Sequence, residues 1–236
     1  VGGHGQVKRS ADAKGQITAF HTSALIDVVQ GEAAEAYQDS VSGERGPLLD
    51  RYTRTILFVK PELVIVFDRL ASPRPTTFEY WLHAIHEFQI DGQHQIRTQV
   101  GDVACEIALL APDQLQLSQT DQYDPNPWPQ ITTREWHLTA STPRADKQTE
   151  FVTLLRPHRI GDAHRATAAL REVPGGFILD ATLTDGRALV LLPTDDSADI
   201  EAEGLSTKGK IAVRRYDREG NIIETQIVQP LPDGKR

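Results

Sequence analysis

The sequence predicts an all-β fold: an antiparallel β-sandwich of two sheets, many-stranded and built from hairpin meanders. Three observations carry this expectation. First, turn-forming pairs recur at short intervals, at Asp91-Gly92, Gly101-Asp102, Gly175-Gly176, Asp185-Gly186 and Gly220-Asn221. Such pairs supply the positive φ of tight turns, so the runs they separate are antiparallel neighbours. Second, helical periodicity is not sustained anywhere in the chain, and strands without intervening helices belong to sandwiches. Third, Leu63 to Leu70 carries apolar side chains on both faces, which marks a central, doubly covered strand.

Taken in order, the chain opens with Val1-Gly2-Gly3-His4-Gly5-Gln6, where glycines let the backbone come close to a ligand or to another strand. The alternative is a loose terminus. Gly31 to Asp39 reads as two helical turns or a loop. Ile56 to Val59 and Leu63 to Leu70 are strands joined at Lys60-Pro61-Glu62, because proline lacks the ladder donor and belongs in the turn. Val64 and Val66 are expected to be nearly solvent-free. A further strand, Phe78 to Leu82, ends at His83. Asp91-Gly92 separates Glu87–Ile90 from His94–Val100, and Gly101-Asp102 separates the latter from Val103–Leu110. Gln119 to Gln130 holds Pro125, Pro127 and Pro129 and must be a rigid, extended loop. Later hairpins link Arg165–Val173 to Phe177–Thr184, the latter to Arg187–Leu192, and Lys210–Tyr216 to Ile222–Val228. The tail from Pro230 is polar and expected to fray. The 236 residues form one expected domain, 1–236, with the loop 119–130 as the candidate internal division.

Composition excludes several classes. Apolar content of 39% with 25% charged residues is that of a globular chain. No run is long enough for a membrane helix, and no leader is visible at Val1. The absence of Met predicts a processed chain or part of a longer one. A formal charge of −8, from 25 basic and 33 acidic residues, disfavours nucleic acid and sits awkwardly with a heavily sulfated polymer. The single Cys105 forms no internal disulfide and reads as a buried structural thiol on the face of Val103, Ile107 and Leu109.

Candidate chemistry is thin. His83 and His86, with Asp68 in the preceding strand, are the candidate metal ligands, although residues three apart on a strand point to opposite faces. His83 is also the candidate catalytic residue. The bland reading is a strand-end histidine hydrogen-bonded into the sandwich. Tyr123 and Trp128 offer aromatic faces for sugar rings, and Trp128 is equally suited to plugging the sandwich end. Arg54, alternating with Tyr52, Ile56 and Phe58, can grip a carboxylate bidentately or form a salt bridge. Asp195-Asp196 and Glu201/Glu203 read as solvated surface, with calcium as the alternative.

Order and spacing bring a resemblance. Arg54 to Leu70, with Ile56-Leu57-Phe58, Pro61-Glu62 and Val64-Ile65-Val66-Phe67-Asp68-Arg69, followed by Trp81-Leu82-His83, resembles the C-terminal β-sandwich of heparinase II/III-like polysaccharide lyases. Val1 to Gln6 is similar to that family's "V-D-G-x-G-Q" segment, and Glu150 to Pro157 to its late strand-then-proline segment. The resemblance implies β-elimination of a uronate-containing polysaccharide by the parent enzyme. It also implies that the family's catalytic Asn, His and Tyr and its His/Asp/His metal set lie before Val1. This chain would then line the cleft through His4, Gln6, Arg54, Tyr123 and Trp128 and dock an α-helical toroid, upstream or as a separate chain. On its own it would be inactive. A divalent metal, zinc, would belong to the parent protein and no cofactor to this chain, and the location would be periplasmic or extracellular. Rival expectations are a free-standing carbohydrate-binding module with a platform around Trp81, Trp128 or Trp136, and a purely structural assembly domain.

Overall fold

Pro61 sits where its missing donor costs nothing, in the turn at residues 60–62, and the hairpin around it organises the molecule. The computed structural model describes residues 1–7, 13–38, 46–92, 94–123, 130, 135–162 and 167–231. In chain order the first strands are β1 (Gln16–Thr22), β2 (Ile26–Glu32), β3 (Arg51–Val59) and β4 (Leu63–Thr76), each antiparallel to the next. Between β2 and β3, where the sequence leaves two helical turns or a loop open, the chain forms a single 3-10 turn, Ala34–Ala36, within a loop. The chain continues through β5 (Glu79–Ala84), β6 (Gln89–Asp91), β7 (Gln95–Val100), β8 (Val103–Ala111), β9 (Gln116–Thr120), β10 (Trp136–Ser141) and β11 (Asp146–Arg159). Asp91-Gly92 and Gly101-Asp102 join β6, β7 and β8 as tight antiparallel turns, with Gly92 and Gly101 at positive φ.

β11 returns to lie between β4 and β8, completing an eight-stranded sheet in the order β1-β2-β3-β4-β11-β8-β7-β6. β5, β10 and β9 leave it to form a separate three-stranded sheet. The last third of the chain gives β12 (Thr167–Val173), β13 (Gly176–Leu183), β14 (Gly186–Pro193), β15 (Asp199–Ala202), β16 (Leu205–Lys208), β17 (Ala212–Tyr216) and β18 (Ile222–Ile227). Of these, β12-β13-β14-β17-β18 form a five-stranded sheet and β15-β16 a small ribbon. Every ladder among the described residues is antiparallel. The all-β antiparallel sandwich is therefore as expected, with more layers than the two sheets anticipated.

Alternation along β4 shows why the layers multiply. Leu63, Ile65 and Phe67 point into one core with Leu179, Ala181 and Val190 of the five-stranded sheet. Val66 and Leu70 point the other way, into a second core with Tyr80, Leu138 and Phe151 beneath the three-stranded sheet. A third core, with Leu189, Leu191, Ile200 and Leu205, seals the ribbon against the outside of the five-stranded sheet. Val66 is 8% exposed, but Val64 is only half-buried, because on that face it lies beside the equally half-buried Phe58. Arg215, fully buried, donates from Nη1 to the Lys60 carbonyl (2.8 Å) and from Nη2 to Asp185 (2.8 Å), tying two hairpin turns from different sheets.

The first described residues, and the last ones up to Leu231, are tied to the sandwich. Val1 packs on the second core, the Gly2 N–H donates to Thr77 and the Val7 N–H to Ala36. Pro230 bridges Ala19, and the Leu231 N–H donates to Thr18, so the expected fraying does not begin at Pro230.

Candidate functional site

With Val59 opposite Leu63 across the proline turn, counting outward sets Arg54 opposite Asp68. The arginine Nε and Nη2 donate to the two carboxylate oxygens at 2.7 and 2.6 Å, the bidentate fork of an ionised pair. Asp68 is 2% exposed, whereas the Arg54 side chain is 41% exposed. Burial opposes charge on both partners. At Arg54 burial is the largest single influence, but the hydrogen bonds and the charge of Asp68 together outweigh it and hold the guanidinium above its ordinary value, whereas burial prevails at Asp68 and raises its carboxyl despite Arg54. The guanidinium lies 5.7 Å from the Tyr52 ring and 5.4 Å from that of Tyr80, and Tyr37 meets Tyr52 edge to face at 5.4 Å. Burial also raises the phenols of Tyr37, Tyr52 and Tyr80, so they stay neutral.

Glu32 fixes this edge of the sheet. Its carboxylate accepts from the Ala34 and Tyr52 backbone N–H groups (2.9 and 3.0 Å) and from the Thr53 hydroxyl (2.8 Å). Beside it runs an open cleft of about 430 Å³ lined by Gln6, Gln16, Ile17, Tyr52, Arg54 and Ile56, among others. Nη1 of Arg54 has no bonded acceptor among the described residues and remains available to a ligand. The arrangement can present a fixed cation, an amide and apolar Ile17 and Ile56 to a polar chain lying in the cleft.

The other candidates lie elsewhere. His83 is on β5 with Trp81, and alternation puts both on the face opposite Tyr80, away from Arg54. His83 stands directly across from His137 of β10, with ring centroids 6.1 Å apart, and 3.9 Å from Glu135. Tyr123 covers His137 at 4.7 Å. Burial, aided by the neighbouring His83, lowers the His137 imidazole, and Asp121 opposes this. His86 is exposed in the bend after β5, and His4 is exposed with Nδ1 3.0 Å from the Gly2 carbonyl. Trp128 lies outside the described residues. The structure does not bring His83, His86 and Asp68 together: among the described residues no three His, Cys, Asp or Glu side chains are placed to hold a metal ion, and both Asp68 oxygens are taken by Arg54. Asp195 accepts from Ser197, and Glu203 pairs with Arg187. Cys105 is half-buried and its thiol is raised by burial, as a structural cysteine requires. Sequence reasoning missed His137. Its only local signal is the apolar strand Trp136-His137-Leu138, and its pairing with β5 crosses more than fifty residues.

Sheets packed on both faces of a long antiparallel sheet define a layered β-sandwich. No protein-family model matches the chain, and no curated protein sequence does. Among solved structures, heparan sulfate lyase HepC from Pedobacter heparinus is similar with a TM-score of 0.56 and 17% identity, over 77% of this chain and 28% of that one. A heparinase III with methylated lysines gives 0.54 and 10% identity, over 92% of this chain and 27% of that one. At such identities the likeness is one of fold, and the chain spans little more than a quarter of the length of these lyases. No helix among the described residues is long and apolar enough to cross a membrane.

Proposed function

We propose that this chain is the β-sandwich part of a heparinase II/III-like polysaccharide lyase and binds a uronate-containing polysaccharide along the Arg54 cleft. The observation that carries the reading is the fold likeness to heparan sulfate lyases over most of the chain, 77% for HepC and 92% for heparinase III. In this reading an α-helical toroid, on the same protein or a separate chain, supplies the base that removes the proton α to the carboxylate and the acid that protonates the leaving oxygen. Any divalent metal belongs to that larger assembly, which works in the periplasm or outside the cell. Arg54 holds the uronate carboxylate from Nη1 while Asp68 fixes the guanidinium plane, and Gln6 borders the bound chain. Arg54 is the one cation among the described residues that line the cleft, and in a protein of charge −8 that suits a lightly charged polymer better than a heavily sulfated one.

The test is a nuclear magnetic resonance titration of the chain with unsulfated uronate oligosaccharides. Shifts concentrated at Gln6, Gly31, Tyr52, Arg54 and Ile56, weakened by Arg54→Lys, are expected. Shifts that leave these residues untouched would refute the cleft as the binding surface.

A further inference from the structure

The outer face of the three-stranded sheet carries a second cluster that the lyase reading does not use. Trp81 keeps 46% of its surface exposed and stacks on His137 at 5.3 Å with planes 19° apart. His83 lies alongside Trp81 at 6.3 Å and 25°, and the Tyr123 ring meets His137 at 4.7 Å. Four rings thus share a face whose other outward residues on β9 and β10, Gln116, Ser118, Thr120, Thr139 and Ser141, are all polar. His137 is only 7% exposed, and its Nδ1 is buried without a hydrogen-bond partner among the described residues. β10 is paired on both sides, so the cluster stands on a rigid floor. The Trp81 indole N–H donates to Glu79 at 3.0 Å, which fixes the ring before anything binds.

We propose that Trp81, His137 and Tyr123, with Glu79, Glu135 and Asp121 around them, form a second carbohydrate site that takes an amino-sugar ring. A fixed indole face packs against the C–H face of a pyranose, and cross-strand rings widen the platform. The surrounding polar groups select among sugars. Glu79 borders Trp81, Glu135 lies 3.9 Å from His83, and Asp121 lies two residues before Tyr123, whose ring meets His137. Three carboxylates accept hydrogen bonds from an ammonium or amide nitrogen and repel a uronate. The site stands independently of the lyase reading, since alternation along β5 puts Tyr80 against Arg54 and Trp81 on the opposite face.

Chitosan, cellulose and alginate oligosaccharides of matched length, titrated into the chain and into Trp81→Ala and Trp81→Phe, test this. Chitosan oligosaccharides are expected to bind tightest and to move the Trp81 indole N–H resonance in the unmodified chain. Trp81→Ala should weaken binding roughly tenfold and Trp81→Phe less, the scale of one aromatic contact. Equal or tighter binding of cellulose or alginate oligosaccharides at the Trp81 face, an unmoved indole resonance, or unchanged chitosan affinity in Trp81→Ala would each overturn the proposal. Alginate shifts confined to the Arg54 cleft with no chitosan binding would sink this site alone, and the converse would sink only the lyase reading.

Discussion

Arg54→Ala isolates the most consequential pair in the molecule. It strips the partner from Asp68, which is 2% exposed and has both oxygens engaged. Leaving a buried charge uncompensated costs about 3–5 kcal/mol. The 41% exposure of Arg54 lets water into part of the vacated space, which favours the lower end, about 3 kcal/mol. Losing the cation–π contacts with Tyr52 and Tyr80 adds about 1 kcal/mol. A total near 4 kcal/mol is a large share of the roughly 5–15 kcal/mol that holds a domain folded. The loss must also depend on pH. Burial already raises the Asp68 carboxyl, and removing Arg54 raises it further. A folded-state pKa above the unfolded value means the folded variant takes up the proton first. The penalty is therefore full at neutral pH and shrinks as pH falls towards the ordinary carboxylate value of about 4. Urea unfolding of both proteins at pH 7 and pH 4.5 measures this, and Arg54→Met with Asp68→Leu should recover most of the loss. A deficit below about 1 kcal/mol at pH 7, or one that grows on acidification, would refute the argument.

Val66→Asp places an unpaired charge at an 8% exposed position between β3 and β11 and should abolish soluble expression; soluble, folded protein would show that this face is not sealed. The His137 imidazole should titrate below 6.5 by nuclear magnetic resonance, so the stability it contributes is present above that pH and lost as pH falls through it. Asp121→Asn should lower the midpoint further, and a midpoint above 6.5 would contradict the burial that causes it. This chain should produce no unsaturated uronate absorbance from heparin, heparan sulfate, alginate or chondroitin, because His83 and Arg54 occupy opposite faces of β5. Elimination that vanishes in His83→Ala would show a site built across those faces.

What the sequence disclosed follows from chain distance. Hairpins closed by Asp-Gly and Gly-Asn pairs are local, so β6-β7, β13-β14 and β17-β18 were readable. The Arg54–Asp68 pair was readable in principle, since the register follows from the proline turn, yet the two residues were assigned separate roles. Val64 misled because an apolar run says nothing of whether a neighbouring layer reaches far enough to cover it. Splitting the expected two sheets into more depends on β5 leaving the main sheet for β10, which no local signal announces. His137, opposite His83 only through that pairing, was invisible for the same reason.

The position of β4 also sets a timetable. Its first partner, β3, precedes it immediately, but its other edge waits for β11, where Arg69 meets Glu150, and one of its faces waits for β13 and β14. On a ribosome adding about 5–20 residues per second, this strand, with its apolar run Leu63 to Phe67, stays an unpaired sheet edge for several seconds. Until Asp146 and the residues after it emerge, that edge can pair with the same strand of another nascent chain. Cutting or stalling the chain in the proline-rich stretch would make this interval permanent, and the material recovered would be insoluble.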